Sequence, residues 1–324
     1  MSVWIRRIAL LAAFVLACGA EQGAAQPFPS RPITFVVPNL AGGSSDLIAR
    51  AVGAQLSKLV GQPVIIDNRP GASEMIATEF LARAAPDGHT IAILSNALSI
   101  NETLSPGRKY DAVRDLVPVA KLAELPFALI VSAELPVRTL AEFVSYAKAN
   151  PGKLSYGHVG VGAPHYLTME WFKREAGLDI LAVPYRSSPP VYTALLGGQI
   201  QLTVGALGGA TQFIETGKVR ALASMSKQRP SSQPNLPTVS EGGFAEFDLV
   251  PWMGVFVPAD TPPEIVRKLE ADILAAAGSA EVREQLRLSG LEPSPQGAAE
   301  FGALVKRDIG NWAKVIKDVG VPPQ

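Results

Sequence analysis

Ile33-Thr34-Phe35-Val36-Val37-Pro38-Asn39-Leu40-Ala41-Gly42-Gly43-Ser44-Ser45-Asp46-Leu47 is the stretch on which the reading of this chain turns. Ile33, Phe35, Val36 and Val37 form a short apolar run of β-forming residues, which predicts a buried strand. Pro38 has no N–H to give a neighbouring strand and ends it. Gly42 and Gly43 are expected to let the backbone take positive φ and come close to a ligand. Ser44, Ser45 and Asp46 are each able to cap the helix that follows. Such a turn aims several unpaired N–H groups, and the positive end of a helix dipole, at one spot. Asn39, Leu40, Ala41, Gly42, Gly43 and Ser44 are therefore candidate anion-binding residues. Taken alone, the loop reads more simply as a tight βα connection, because glycine-rich turns of this kind are common.

Downstream, residues 46–60 have helical apolar spacing and Gly61 is placed to stop the helix. A strand over 62–67, a turn over 68–72, a helix carrying Met75, Ile76, Phe80 and Leu81, and a strand over 90–94 follow. This βαβαβ run predicts a parallel sheet with helices on both faces. Ligands of such sheets sit at the carboxyl ends of the strands, where the opening loop and Ser95-Asn96 both stand. Strands over 117–122 and 127–131 cross to a second series, and Thr139 caps a helix to Ala149. The second series reads strand 154–156, glycine-rich loop 157–162, helix 163–176, strand 180–183, helix 187–196, strand 200–204, helix 208–216 and strand 219–225. Residues 229–237, rich in Ser, Pro and Asn, are an exposed loop. A strand over 252–257 is expected to return to the first sheet, with Trp252 packing between the lobes. Thr261 is expected to cap a helix with Pro262 at its first position, and helices follow over 263–277, 280–288 and 297–318. The fold class is α/β with two lobes, each a mixed, mostly parallel sheet flanked by helices. Lobe 1 comprises residues 28–127 plus 252–324 and lobe 2 residues 128–251, with a ligand cleft and a hinge between them.

Residues 1–25 read as an export signal: Arg6 and Arg7 precede an apolar stretch from Ile8 to Ala17, too short to span a bilayer as a finished helix. Val15-Leu16-Ala17-Cys18-Gly19 also resembles a lipobox, which would anchor the chain through Cys18. Cys18 is the only cysteine, so no internal disulfide supports the body. The 29 Lys and Arg balance 29 Asp and Glu, with no basic stripe that would engage nucleic acid.

The second chemical constellation is Tyr156-Gly157-His158-Val159-Gly160-Val161-Gly162-Ala163-Pro164-His165, again a glycine-rich loop feeding a helix. If the lobes face each other, two helix N-termini meet across one cleft, a good setting for a carboxylate held by backbone N–H groups. His158, Gly160, Val161, Gly162 and His165 join the candidate ligand residues. At this point the chain resembles the tripartite tricarboxylate transporter substrate-binding proteins, also called the Bug family. The resemblance runs from about Phe28 to the C-terminus. It is carried by Pro29-Ser30-Arg31-Pro32-Ile33, Gly61-Gln62-Pro63-Val64, Asn68-Arg69-Pro70-Gly71-Ala72 and Ala85-Pro86-Asp87-Gly88. Pro151-Gly152-Lys153-Leu154, Val183-Pro184-Tyr185, Leu195-Leu196-Gly197-Gly198-Gln199, Gly217-Lys218-Val219-Arg220-Ala221 and Leu236-Pro237-Thr238-Val239 extend it.

The resemblance implies a monomeric periplasmic binding protein, type II-like, that closes on a small carboxylated molecule, mono-, di- or aromatic. It also implies delivery of that molecule to the membrane permease subunits of a tripartite carboxylate transporter. It places a carboxylate between loops 39–44 and 157–165, held largely by backbone groups and bridging waters, with Ser95-Asn96 as the small polar turn after the third strand. An alternative with the same sequence is a ligand-sensing periplasmic protein or lipoprotein that feeds a signalling system. Three positions depart from the family pattern. Asn39 stands where an aromatic residue is usual, Gly205-Ala206 where an acidic residue usually follows the strand, and Arg186-Ser187 where Lys-Gly is usual. They imply one acidic side chain fewer and a roomier site, with Arg186 available as a carboxylate clamp.

Asp46 reads as a helix cap rather than a ligand contact. His158 and His165, seven residues apart with no Cys or carboxylate in register, do not make a metal site. Gly160-Val161-Gly162 lacks the third glycine of a dinucleotide fingerprint. No Gly-x-Ser-x-Gly elbow exists, and Ser44 and Asp46 lie too close on one turn to flank a histidine as a catalytic triad. No cofactor and no enzymatic activity are expected.

Overall fold

The computed structural model describes residues 28–245 and 249–323. The expected export segment and Cys18 lie outside them. The first half runs β1 (Ile33–Val37), α1 (Ser44–Val60), β2 (Val64–Asn68), α2 (Met75–Ala82), β3 (Thr90–Ser95), α3 (Ala97–Leu104), β4 (Leu116–Glu124) and β5 (Phe127–Ser132). Then come α4 (Leu140–Ala149), β6 (Leu154–His158), α5 (Pro164–Ala176), β7 (Ile180–Pro184), α6 (Ser188–Leu196), β8 (Leu202–Ala206), α7 (Leu207–Glu215) and β9 (Val219–Ser224). The chain ends with β10 (Trp252–Pro258), α8 (Pro263–Gly278), α9 (Ala280–Leu288), β11 (Glu292–Gly297) and α10 (Ala298–Val319).

Two mixed sheets form the two lobes. The first has strand order β11-β4-β10-β3-β1-β2 and the second β7-β6-β8-β5-β9. β1 pairs in parallel with both β2 and β3, while β10 joins β3 antiparallel. β6 likewise pairs in parallel with β7 and β8, and β5 joins β8 antiparallel. In each sheet the first strand of a βα series lies between its two successors. The strand order therefore reverses beside β1 and beside β6, which is where open α/β sheets bind ligands. The apolar run of β1 is fully buried, with Ile33, Phe35, Val36 and Val37 at 0% exposure. It is packed between α1 and α8 on one face and α2 and Phe256 on the other.

α10 belongs to both lobes. Phe301 and Val305 in its first half pack with Trp252 and Phe256 of the first sheet. Trp312, Val315 and Ile316 in its second half join the core built on β5, β6 and α5.

Several sequence expectations change. Trp252 does not pack between the lobes: it is buried within the first sheet's core, its ring edge-on to Phe301 and its Nε1 donating to Asp308 Oδ2 at 2.8 Å. Pro262, not Thr261, is the cap of α8, and Pro263 takes the first helical position; the Thr261 hydroxyl instead donates to Pro258 O at 2.7 Å. α3 and β11 were not foreseen. Thr139 caps α4 as expected, accepting from Glu142 N–H at 3.2 Å.

Candidate functional site

A cavity of about 690 Å³ lies between the loop after β1 and the loop after β6. Pro38, Asn39, Leu40, Ala41 and Gly43 line one side, and Val159 to His165 the other. Pro70, Gly71, Ser73 and Glu74, which follow β2, complete the wall with Ser95 and the α3 residues Ala97, Ile100 and Asn101.

The loop after β1 is locked from within. Asp46, in the first turn of α1, is buried, and Oδ2 accepts from Gly42 N–H at 2.9 Å and from Arg50 Nε at 2.8 Å. Its Oδ1 accepts from Asn68 Nδ2 at 2.9 Å, and the same amide nitrogen donates to Asn39 O at 2.8 Å. The Arg50 guanidinium, with the Gly42 and Asn68 donors, overcomes the effect of burial and holds the Asp46 carboxyl down at about 2. Asp46 is therefore the anion at the start of α1 and already complements that helix dipole. The helix cap is Gly43, with no side-chain cap bond, so Ser44, Ser45 and Asp46 do not cap in the expected way. Asp46 works instead from inside the turn, reaching back to the loop, in the manner of the acidic partner in a capping box. Only Gly42 needs the left-handed conformation, at φ 87°; Gly43 is at φ −73°.

The loop after β6 is built differently. α5 starts at Pro164 with Ala163 as its cap, no capping side chain, and no acid in the first turn. Its first intrahelical donor is Leu167 N–H, bound to Ala163 O at 3.0 Å. The N–H groups of His165 and Tyr166 precede it and need partners from outside the helix. His165 Nε2 accepts from Val159 N–H at 3.1 Å, which leaves the proton of the neutral ring on Nδ1. Burial, with His158 nearby, pushes His165 down to about 4, so it is neutral at physiological pH.

Of the sequence-predicted residues, the cavity brings together Asn39, Leu40, Ala41, Gly43, Ser95, Gly160, Val161, Gly162 and His165. Gly42 belongs to the same loop and Ser44 is the first residue of α1, and neither lines the cavity. His158 is corrected: it is the last residue of β6, buried against Tyr156 and Tyr166, and its Nδ1 accepts from Gly160 N–H at 3.2 Å, so it braces the loop from behind. Asn96 is also corrected, being buried at the cap of α3 with its N–H on Trp252 O. Arg186 and Ser187 are exposed after β7 and lie outside the cavity lining. Gly205 and Ala206 end β8 under Tyr192, whose hydroxyl donates to Ala206 O at 3.3 Å. A Cβ on Gly205 would lie 2.8 Å from that hydroxyl, so Tyr192 occupies the room in front of Gly205.

Glu74 was missed. It follows β2, next to β1, at the carboxyl edge where ligands sit, and that topology was the available signal. Ala72, Ser73 and Glu74 take φ of 47°, 50° and 73°, three successive non-glycine residues in the left-handed region. Such residues cost of order 1–3 kcal/mol each and gather at ligand clamps.

Two α/β lobes, a cavity at both strand-order reversals and facing helix starts define a two-lobed solute-binding protein. The sequence profile described as tripartite tricarboxylate transporter family receptor matches residues 48–321. Protein BugT of Bordetella pertussis is 32% identical over 318 residues, 97% of this chain and 98% of that protein. The structure of R. palustris Rpa4515 with adipate has 35% identity and a TM-score of 0.79, covering 92% of this chain and 100% of that one. MatC (Rpa3494) from Rhodopseudomonas palustris with bound malate has 32% identity and a TM-score of 0.74, covering 89% and 100%. The chain belongs to the tripartite tricarboxylate transporter receptor family, the Bug family, whose members are solute-binding receptors. Among the described residues no helix is long and apolar enough to cross a membrane, and no group of three His, Cys, Asp or Glu is placed to hold a metal ion.

Proposed function

We propose that this chain is an exported periplasmic receptor that closes its lobes on a small organic acid and presents it to the permease subunits of a tripartite carboxylate transporter. The observation that carries this reading is the start of α5. It opens on the cavity without a capping side chain or a first-turn acid, so its dipole and the His165 and Tyr166 N–H groups are left for a ligand carboxylate. The start of α1, satisfied by Asp46, contributes shape more than charge. The related proteins solved with adipate and with malate support a carboxylate as the ligand class. The experiment is a thermal-shift screen of the purified protein against mono-, di- and aromatic carboxylates, sulfonates, amines and neutral solutes, followed by calorimetry of the hits. Stabilisation by carboxylates is expected. Stabilisation by neutral or cationic solutes alone would overturn the reading.

A further inference from the structure

Among the described residues that line the cavity there is no lysine or arginine and a single carboxyl group, that of Glu74. Its Oε2 accepts from Ser95 N–H at 3.0 Å and its Oε1 from the Ser95 hydroxyl at 2.7 Å. Ser95 Oγ itself accepts from Ala97 N–H at 3.1 Å, so its own proton is directed at Glu74. Both carboxyl oxygens are thus hydrogen-bond acceptors, the arrangement of an ionised carboxylate. Among the described residues none makes a salt bridge with it. The left-handed turn that delivers it is pinned by Asn101 Nδ2 on Ser73 O at 2.8 Å and by the Thr78 hydroxyl on Glu74 O at 3.0 Å. A strained turn, fastened at two adjacent carbonyls, therefore presents one carboxylate to a cavity in which no described residue supplies a cation. A desolvated charge is normally paired, and here the partner has to come from the ligand.

We propose that Glu74 is a specificity-determining residue that receives the protonated amine of an amino-carboxylate whose carboxylate lies at the start of α5. The inference rests on the carboxylate-receptor reading above and deepens it. A dicarboxylate of the same length would bring its second charge against Glu74 and be disfavoured. Burial raises the Glu74 carboxyl to about 7 against the lowering effect of its two Ser95 hydrogen bonds, so a cation brought beside it would favour the ionised form.

The test is calorimetric titration of the full chain at pH 8 with ω-amino-carboxylates and dicarboxylates, matched in length from three to six carbons. The wild-type protein is expected to bind its best amino-carboxylate about tenfold or more tightly than the matched dicarboxylate. Glu74→Gln is expected to erase that ratio by weakening the amine and admitting the dicarboxylate. Glu74→Asp, which keeps the charge, should keep the order of preference and covers the case in which the glutamine variant fails to fold. Carboxylates that bind with a dicarboxylate preference, or with a ratio that neither variant moves, would overturn this inference and leave the receptor reading intact. Failure of every carboxylate to bind would overturn both.

Discussion

Gly208 and Gly290 meet backbone to backbone: a methyl group added to either would fall on the Cα of the other. Gly208 lies in the first turn of α7, which belongs to the second lobe, and Gly290 follows α9 of the first. Close by, Glu292 at the start of β11 accepts from Ser232 N–H at 2.7 Å and from the Ser231 hydroxyl, again linking the lobes. None of these residues lines the ligand cavity. Here the lobes touch without side chains between them, which makes this contact a natural pivot for closure.

Gly208→Ala is accordingly expected to hold the lobes apart. Small-angle scattering should show a larger radius of gyration for the empty variant, and calorimetry an affinity weaker by about tenfold, as a closed form made scarcer requires. Gly278→Ala, where an added Cβ meets nothing within 4 Å, is the control and should leave both unchanged.

Asp46 sets the acid limit of the first loop. Its folded pKa, about 2, lies below the ordinary aspartate value, so its contribution is present above pH 4 and is lost as the pH falls from about 4 to 2. Asp46→Asn should cost about 1–2 kcal/mol at pH 7 and flatten the acid limb of stability in that window. Denaturant melts at pH 7, 4 and 3 measure this; an unchanged acid limb would remove Asp46 from the account.

For Glu74 the sign is reversed. Its pKa is raised from the ordinary value to about 7, so the folded state binds more protons than the unfolded chain between about pH 4.5 and 7. The empty protein should lose stability as pH rises through that range. Glu74→Gln should then melt higher than wild type at pH 8, by of order 1–2 kcal/mol after allowance for partial exposure, with the difference gone below pH 4.5. Thermal melts without ligand across pH 4 to 8 check the sign.

His165→Ala should leave Val159 N–H without its acceptor and loosen the loop after β6. A loss of about 1–2 kcal/mol in stability and a weaker ligand affinity are expected. Because the histidine is held neutral down to about pH 4, wild-type affinity should show no step from this group between pH 6 and 8.

The parts legible in the sequence were those where local chemistry and the fold agree. The β1 run of Ile33, Phe35, Val36 and Val37, Thr139 at its cap and Gly61 at φ 68° were readable because each residue type has one favoured role there. α3 escaped notice because Ser99, Ile100, Asn101 and Thr103 are poor helix formers; packing of Ile100 and Leu104 against the second lobe's core makes it a helix. β11 contains Pro293 and Pro295 and is tolerated as an edge strand beside β4. In the site, the two glycine loops were visible, but the facing of side chains was not. His158 sits in register to point inward, and Glu74 reaches the cavity only through a left-handed turn that no residue of Ala72-Ser73-Glu74 favours.

α10 has a consequence for the order of events in the life of the chain. Its 22 residues span about 33 Å, and Trp312, Val315 and Ile316 plug the core of a lobe whose strands all lie before residue 225. All three also lie beyond β11, the last strand of the first lobe. The second lobe's core is therefore closed only by residues that follow the whole of the first lobe's sheet, so the two lobes are completed together rather than one after the other.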